Sequence, residues 1–231
     1  MQCVILAAGR GTRMKELTAN TPKPMIAVFG EPLLAHKIRM LPETVDDVVL
    51  VVGYLGEQIR EYFGSEWEGR KISYVFQKNL NGTGGAIREA KDLVCGTFLV
   101  IMGDDLYGTD DLARLSEDGM AVLAKKMDKP FSAGILRRNR EGNLLEIVEK
   151  TETPEIGLMN TGAYALTRDF FEYELVQITK TEFGLPQTLA TMAKNHPVKI
   201  KPAHSWLRIG CPEDIGMAED FLRNNNRKTE K

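Results

Sequence analysis

The sequence predicts an α/β fold, a central sheet covered by helices on both faces, and three features of its 231 residues carry that prediction. Short apolar runs rich in β-branched residues recur almost without polar alternation, as strands buried on both faces do. Stretches of helical length separate the first of these runs, which is the rhythm of a parallel sheet with helical crossovers. In the second half the runs follow one another with fewer helices between, which adds antiparallel strands and makes the sheet mixed.

The first strand is "QCVILA" (2–7), followed by "DDVVLVV" (46–52), "ISYVF" (72–76) and "TFLVIMG" (97–103). Helices are expected between them at about 32–41, 56–63 and 84–94. Then come "MAVLAKK" (120–126), "SAGILRR" (132–138), "LLEIVEK" (144–150) and "LMNTGAYAL" (158–166), with "NREGN" (139–143) as a hairpin turn. Amphipathic stretches at 185–195 and 212–224 close the chain, and residues 225–231 read as a polar tail. No linker, low-complexity block or repeat interrupts the chain. We therefore expect one domain over 1–224, with halves 1–110 and 111–224.

Composition excludes several function classes. At 43% hydrophobic and 27% charged residues, with a net charge of −2, no global positive field points to nucleic acid or an anionic membrane. The three cysteines, Cys3, Cys95 and Cys211, lack the spacing of a zinc site, and reduced thiols in a cytoplasmic compartment are expected. No apolar run reaches the roughly 20 residues that span a bilayer, and a strand at the very start leaves no room for a leader. His36, His196 and His204 stand apart from one another, against a triad or a zinc centre. Phe170 and Phe171 read as packing residues.

In open parallel sheets ligands bind beyond the carboxyl ends of the strands, so the residues after each apolar run carry the functional argument. After the first strand, "AAGRGTR" offers Gly9 and Gly11 for close backbone approach and Arg13 for a multi-donor contact to an anion. It is neither GxGxxG, since position 14 is Met, nor a Walker loop. "TPKPM" adds Lys23 on a backbone stiffened by two prolines. After the third strand Gln77 can both donate and accept, as a base edge requires, with Gly82–Gly85 close by. "MGDD" puts Asp104 and Asp105 at a strand end, where carboxylates hold hard divalent cations. Each motif alone also reads as a plain turn or a solvated charge.

Together they carry a resemblance. "LAAGRGTRM", "TPKPM", a glutamine five residues before "GTGGA", then "MGDD", "AG" at Ala133–Gly134, "VEK" ending at Lys150 and "NTG" from Asn160 resemble the sugar 1-phosphate nucleotidyltransferases. The branches it is most similar to are the N-acetylglucosamine-1-phosphate uridylyltransferases and the glucose-1-phosphate thymidylyltransferases. The resemblance implies a Rossmann-like three-layer α/β/α fold and transfer of a nucleotidyl group from a nucleoside triphosphate to a sugar 1-phosphate, with Mg2+ as cofactor. UTP is favoured, dTTP next. It implies that Leu6, Ala7, Ala8 and Gly9 hold base and ribose, and that Gly11, Thr12 and Arg13 wrap the triphosphate. Gln77, Gly82 and Thr83 would read the base, Asp104 would carry the metal, and Lys23 would neutralise charge between the anions. Gly134, Glu149 and Asn160 would contact the sugar, and Lys150 its phosphate. Only the nucleotidyl-transfer half of a bifunctional enzyme is expected, since no acetyltransferase segment follows.

One position departs from the pattern. "WLRIGCPED" (206–214) puts Arg208 where the family often has a metal-binding Asp. Asp105, Glu213 or waters then complete the metal shell, or the guanidinium meets a phosphate directly. A catalytically silent nucleotide-sugar-binding subunit is the rival reading. Another is a CTP-dependent transferase acting on a non-sugar phosphate such as phosphocholine, although a choline site wants an aromatic cage. Trp206 reads either as a wall of the cleft or as packing.

Overall fold

A computed structural model describes the backbone of residues 1–117, 119–131, 134–149 and 155–229, and side chains within these except at 129–131, 149, 155 and 226–229. The β-branched runs form strands: β1 (Gln2–Ala7), β2 (Asp47–Val52), β3 (Arg70–Phe76), β4 (Thr97–Met102) and the short β5 (Asp105–Tyr107). Next come β6 (Ala121–Phe131), β7 (Gly134–Arg138), β8 (Leu144–Glu149), β9 (Glu155–Thr167), β10 (Lys199–Pro202) and β11 (Trp206–Arg208). The helices are α1 (Leu33–Arg39), α2 (Gly56–Phe63), α3 (Gly82–Glu89), α4 (Thr109–Leu115), α5 (Leu185–Met192) and α6 (Asp214–Thr229).

A ten-stranded sheet runs in the order β8-β7-β9-β4-β1-β2-β3 and ends on the two-residue strand Glu66–Trp67, with β6 and β10 attached through β9. β1 pairs in parallel with β2 and β4, and β2 with β3, while β9 joins β4 antiparallel. This is the mixed, mainly parallel α/β sheet expected. Its buried faces are two packed layers, one around Ile5, Leu50, Ile59 and Ile101, the other around Val4, Val51, Ile87 and Leu189. A third cluster joins the first loop to α6 through Met14, Ile26, Val28 and Leu222.

Two features of the topology create a site. The parallel order β3-β2-β1-β4 reverses direction between β1 and β4, so the crevice opens where the loops after these strands part. Gly103 N–H donates to Leu6 O at 2.8 Å and ties the two exits together. Along one edge of β9, residues Leu158 and Met159 pair with β7 and Ala163–Thr167 pair with β4. The residues between, Asn160–Gly162, pair with neither on that edge, and a bulge with Gly162 at φ 77 turns them toward the strand ends.

Some boundaries differ from expectation. The helix expected to 94 ends at Glu89, where residues 90–93 continue as turns and Val94 is irregular. The polar segment expected as a tail continues α6 to Thr229, and Asn225 explains why: its amide donates to Phe221 O and its carbonyl accepts from Ser205 Oγ. Residues 132, 133 and 150 of the expected strands lie outside the described residues. No described helix is long and apolar enough to cross a membrane.

Candidate functional site

A cleft of about 500 Å³ opens beyond β1 and β4. The chain leaves β1 through Leu6, Ala7, Ala8, Gly9 and Gly11, which form one wall, while Lys23, Gln77, Gly82, Thr83 and Asp104 complete it. These sequence-predicted residues, more than 90 positions apart in the chain at the extremes, are thus brought to one place. Gly11 has φ 64, and a Cβ there would stand 2.9 Å from Lys23 Cβ. Glycine is needed both for the left-handed backbone and for the approach of Lys23.

Lys23 is 5% exposed. Its ammonium donates to Asp104 Oδ2 at 2.7 Å and to the carbonyl of Ile209. The cation is therefore held at the cleft floor by one carboxylate and one main-chain oxygen, its own side chain buried while that of Asp104 is partly exposed. Asp105, the next residue, faces the other way. Its carboxylate accepts from Trp206 Nε1 at 3.2 Å and Ile209 N at 3.4 Å, and burial followed by repulsion from Asp104 pushes it up to about 7. Below this turn Lys37 is buried, and desolvation pushes its ammonium down to about 8.

At the base end, Gln77 Nε2 donates to Asn81 Oδ1 at 2.9 Å and Gly82 O at 3.0 Å. A main-chain carbonyl can only accept, so the Gly82 contact fixes the amide orientation and leaves Gln77 Oε1 as an acceptor. Thr83 Oγ1 accepts from Leu185 N at 3.1 Å, and Phe183 N donates to Asn81 O at 2.8 Å, so the turn before α5 buttresses this loop.

A second cleft of about 190 Å³ shares Thr83 and Met102 with the first. Gly134, Asn160, Trp206 and Arg208 line it, together with Thr161 and Tyr164. Asn160 is fixed twice, accepting from Gly162 N at 3.0 Å and donating to Tyr164 OH at 2.8 Å. Arg208 is exposed and stands opposite Asp105 in the β5–β11 pair.

Other predicted residues are not brought in. Thr12 and Arg13 are exposed on a 3₁₀ stretch and line neither cleft. The backbone of Glu149 pairs with Gly134, whereas Lys150 lies outside the described residues. Sequence reasoning missed Arg10, Pro24, Leu80 and Glu182 in the first cleft. Arg10 lies 5.3 Å over the Tyr54 ring, a contact between residues whose spacing carries no signal. Glu182 arrives from a hairpin formed by Val176–Gln177 and Phe183–Gly184, and no local pattern marks it. The histidines make no triad, and among the described residues no three His, Cys, Asp or Glu side chains converge as a metal cluster.

A family model described as "Nucleotidyl transferase" matches residues 2–231. The chain is 37% identical over 227 residues to the bifunctional protein GlmU of Methanocaldococcus jannaschii, covering 96% of this chain and 54% of that one. It is 32% identical over 235 residues to UTP–glucose-1-phosphate uridylyltransferase AglF of Haloferax volcanii, covering 96% and 97%. The chain thus spans about half the length of the GlmU relatives and nearly all of AglF. Among solved structures, HddC from Yersinia pseudotuberculosis complexed with GMP-PN superposes with a TM-score of 0.74 at 26% identity, covering 95% of this chain and 98% of that one. A putative glucose-1-phosphate thymidylyltransferase from Bacillus anthracis shares the fold, with a TM-score of 0.81 at 23% identity and coverage of 97% and 96%. With nearly its whole length matched, the chain belongs to the nucleotidyl transferase family of sugar 1-phosphate nucleotidyltransferases.

Proposed function

We propose that the chain transfers a nucleotidyl group from a nucleoside triphosphate to a sugar 1-phosphate and releases pyrophosphate. The observation that carries this reading is the pair of joined clefts: one has a glycine-rich wall and a buried lysine, the other has Asn160 and Arg208, and they meet at Thr83 and Met102. A nucleoside triphosphate fits the first and a hydroxyl-rich phosphate the second. An oxygen of the sugar phosphate then attacks the α-phosphorus, and the bond to the oxygen bridging α and β breaks. No protein nucleophile is needed, so the site acts by positioning and by neutralising charge.

Lys23 supplies the fixed charge where the two anions approach, and Arg13 is proposed as a further phosphate contact from the loop beside Gly11. Asp104 offers a carboxylate to the first cleft beside Lys23, and it would hold a divalent ion such as Mg2+, which needs only one or two protein carboxylates. When bound, such an ion supplies charge neutralisation along the triphosphate.

The base preference follows from Gln77. With its amide protons committed, it presents an acceptor, which suits the N3–H of uracil or thymine and opposes the N3 lone pair of cytosine. UTP is favoured and dTTP is next, and the relative AglF is named for UTP and glucose 1-phosphate. Guanine also presents an N–H, so GTP belongs in the test. Pyrophosphate release measured with UTP, dTTP, GTP and CTP against glucose 1-phosphate and N-acetylglucosamine 1-phosphate is expected to be highest with UTP. CTP as the preferred substrate overturns the base assignment. Binding of an NDP-sugar without release under any combination favours a silent subunit, the reading that Arg208 motivates. Lys23→Ala is expected to lose about 2–4 kcal/mol of barrier lowering, seen as a kcat reduced by about 30- to 1,000-fold.

A further inference from the structure

Lys37 is a buried cation that the reaction does not use directly. It projects from α1 into the core beside Leu34 and Ile38 and is 2% exposed. Its ammonium donates to Met102 O at 2.8 Å and also to Asp105 O. These two carbonyls bracket Gly103 and Asp104, so one side chain holds both ends of the turn that carries the Asp104 carboxylate. The face of Tyr107 lies 5.2 Å from the same ammonium, and Tyr107 OH donates to Thr161 O at 2.8 Å, in the bulge beside Asn160.

We propose that Lys37 is a positioning residue, which fixes the Gly103–Asp104 turn from below while Lys23 holds the Asp104 carboxylate from above. Stability alone is a poor reason for this lysine. Withdrawing an ammonium from water is costly, and an apolar side chain of similar shape usually serves a core as well or better. What an apolar side chain cannot do is draw two carbonyls together. The turn follows a strand whose register is fixed by β1 and β9, so its remaining freedom is the direction in which Asp104 projects. A displacement of about 1 Å in a charged group at a reacting centre can cost about 10²-fold in rate.

The proposal rests on the reading of Asp104 as the carboxylate that faces the phosphates, and the two are tested apart. Lys37→Met, Lys37→Gln and Asp104→Asn are compared with the natural chain by steady-state kinetics with UTP and by thermal unfolding. Lys37→Met removes both donors at similar volume. It is expected to change Tm by only a few degrees, since the ammonium's desolvation cost is relieved while two carbonyls lose their donor, to lower kcat by about 10–100-fold in protein still folded at the assay temperature, and to leave KM for UTP within about threefold. Lys37→Gln keeps two N–H groups on a shorter chain and is expected to fall between Met and the natural residue. Unchanged kcat in Lys37→Met overturns the proposal, as does a kcat loss that follows a fall in Tm and is not partly restored by Gln. If Lys37→Met does not fold, Lys37→Gln decides: lowered kcat at unchanged KM supports the proposal and unchanged kcat overturns it. An active Asp104→Asn overturns the reading of Asp104 itself.

Discussion

Gly11 and Gln77 show how single positions set what the cleft can hold. Any side chain at Gly11 meets two obstacles, a φ of 64 and the Cβ of Lys23 at 2.9 Å, so Gly11→Ala must either strain the loop or push Lys23 from Asp104. Gly11→Ala is expected to cost about 1 kcal/mol or more of stability and to lower kcat more than it raises KM. Tm and kinetics together check this, and an Ala variant with unchanged kcat means that the loop does not set Lys23. Gln77 controls a choice. Gln77→Ala is expected to narrow the UTP-to-CTP ratio of kcat/KM by about 10–100-fold, the worth of one mismatched buried hydrogen bond, and a ratio that stays put shows the base is read elsewhere. Both glycine and glutamine were legible in the sequence because each follows an apolar strand. Lys37 was not, since a lysine at a helical position reads as solvated and only the packed α1 shows it buried.

The elements explain which expectations held. Strands buried on both faces announce themselves by composition, and β1, β2, β3 and β4 fall within about two residues of their expected limits. The short pieces were illegible. The 3₁₀ run Thr12–Thr18 contains Lys15 at φ 53, and β5 and β11 owe their strand character to each other across about 100 residues. The start of α6 shows a similar dependence. Asp214 Oδ2 accepts from Gly210 N at 2.6 Å and Cys211 N at 3.0 Å, and it holds the loop that presents Ile209 O to Lys23. Burial acts to raise the Asp214 pKa, but the two backbone N–H bonds, together with the Cys211 thiol and the Lys23 charge, outweigh it and the value lies below the usual 3.8. A depressed carboxylate contributes stability above its unfolded value and loses it as pH falls through the folded one. Asp214→Ala is expected to cost about 1 kcal/mol near neutrality and clearly less at pH values below the folded pKa, where the neutral carboxyl keeps only weaker acceptor bonds. Thermal unfolding at both pH values checks it. An equal loss at both shows that the charge is not what holds the loop.

The molecule closes on itself through its third cluster, and that closure couples the end of the described chain to the site at its beginning. Met14, Ile26 and Val28 come from the segment that contains Lys23, while Ala218 and Leu222 come from α6 and Ile209 from the loop that receives the Lys23 ammonium. Amphipathic patterning predicted a helix here, but no pattern in one sequence says which surface it covers, because that depends on how far the sheet carries the chain before it returns. The consequence is a difference between cores. Leu222→Ala and Ile59→Ala each remove a buried aliphatic side chain, 3% and 0% exposed, and each is expected to cost about 2–5 kcal/mol. Ile59 lies on α2 and packs in a different cluster from Leu222, one that does not contain Ile209, so its cavity is expected to lower Tm and leave kcat unchanged. A cavity at Leu222 loosens the floor on which Lys23 and Asp104 meet, so kcat falls by about tenfold in protein that is still folded at the assay temperature. Denaturant unfolding gives the two stability losses and initial rates at saturating substrate give the two kcat values. Equal kcat in both variants shows that the C-terminal helix supports the fold alone. A lower kcat in Leu222→Ala only shows that the helix supports the site as well.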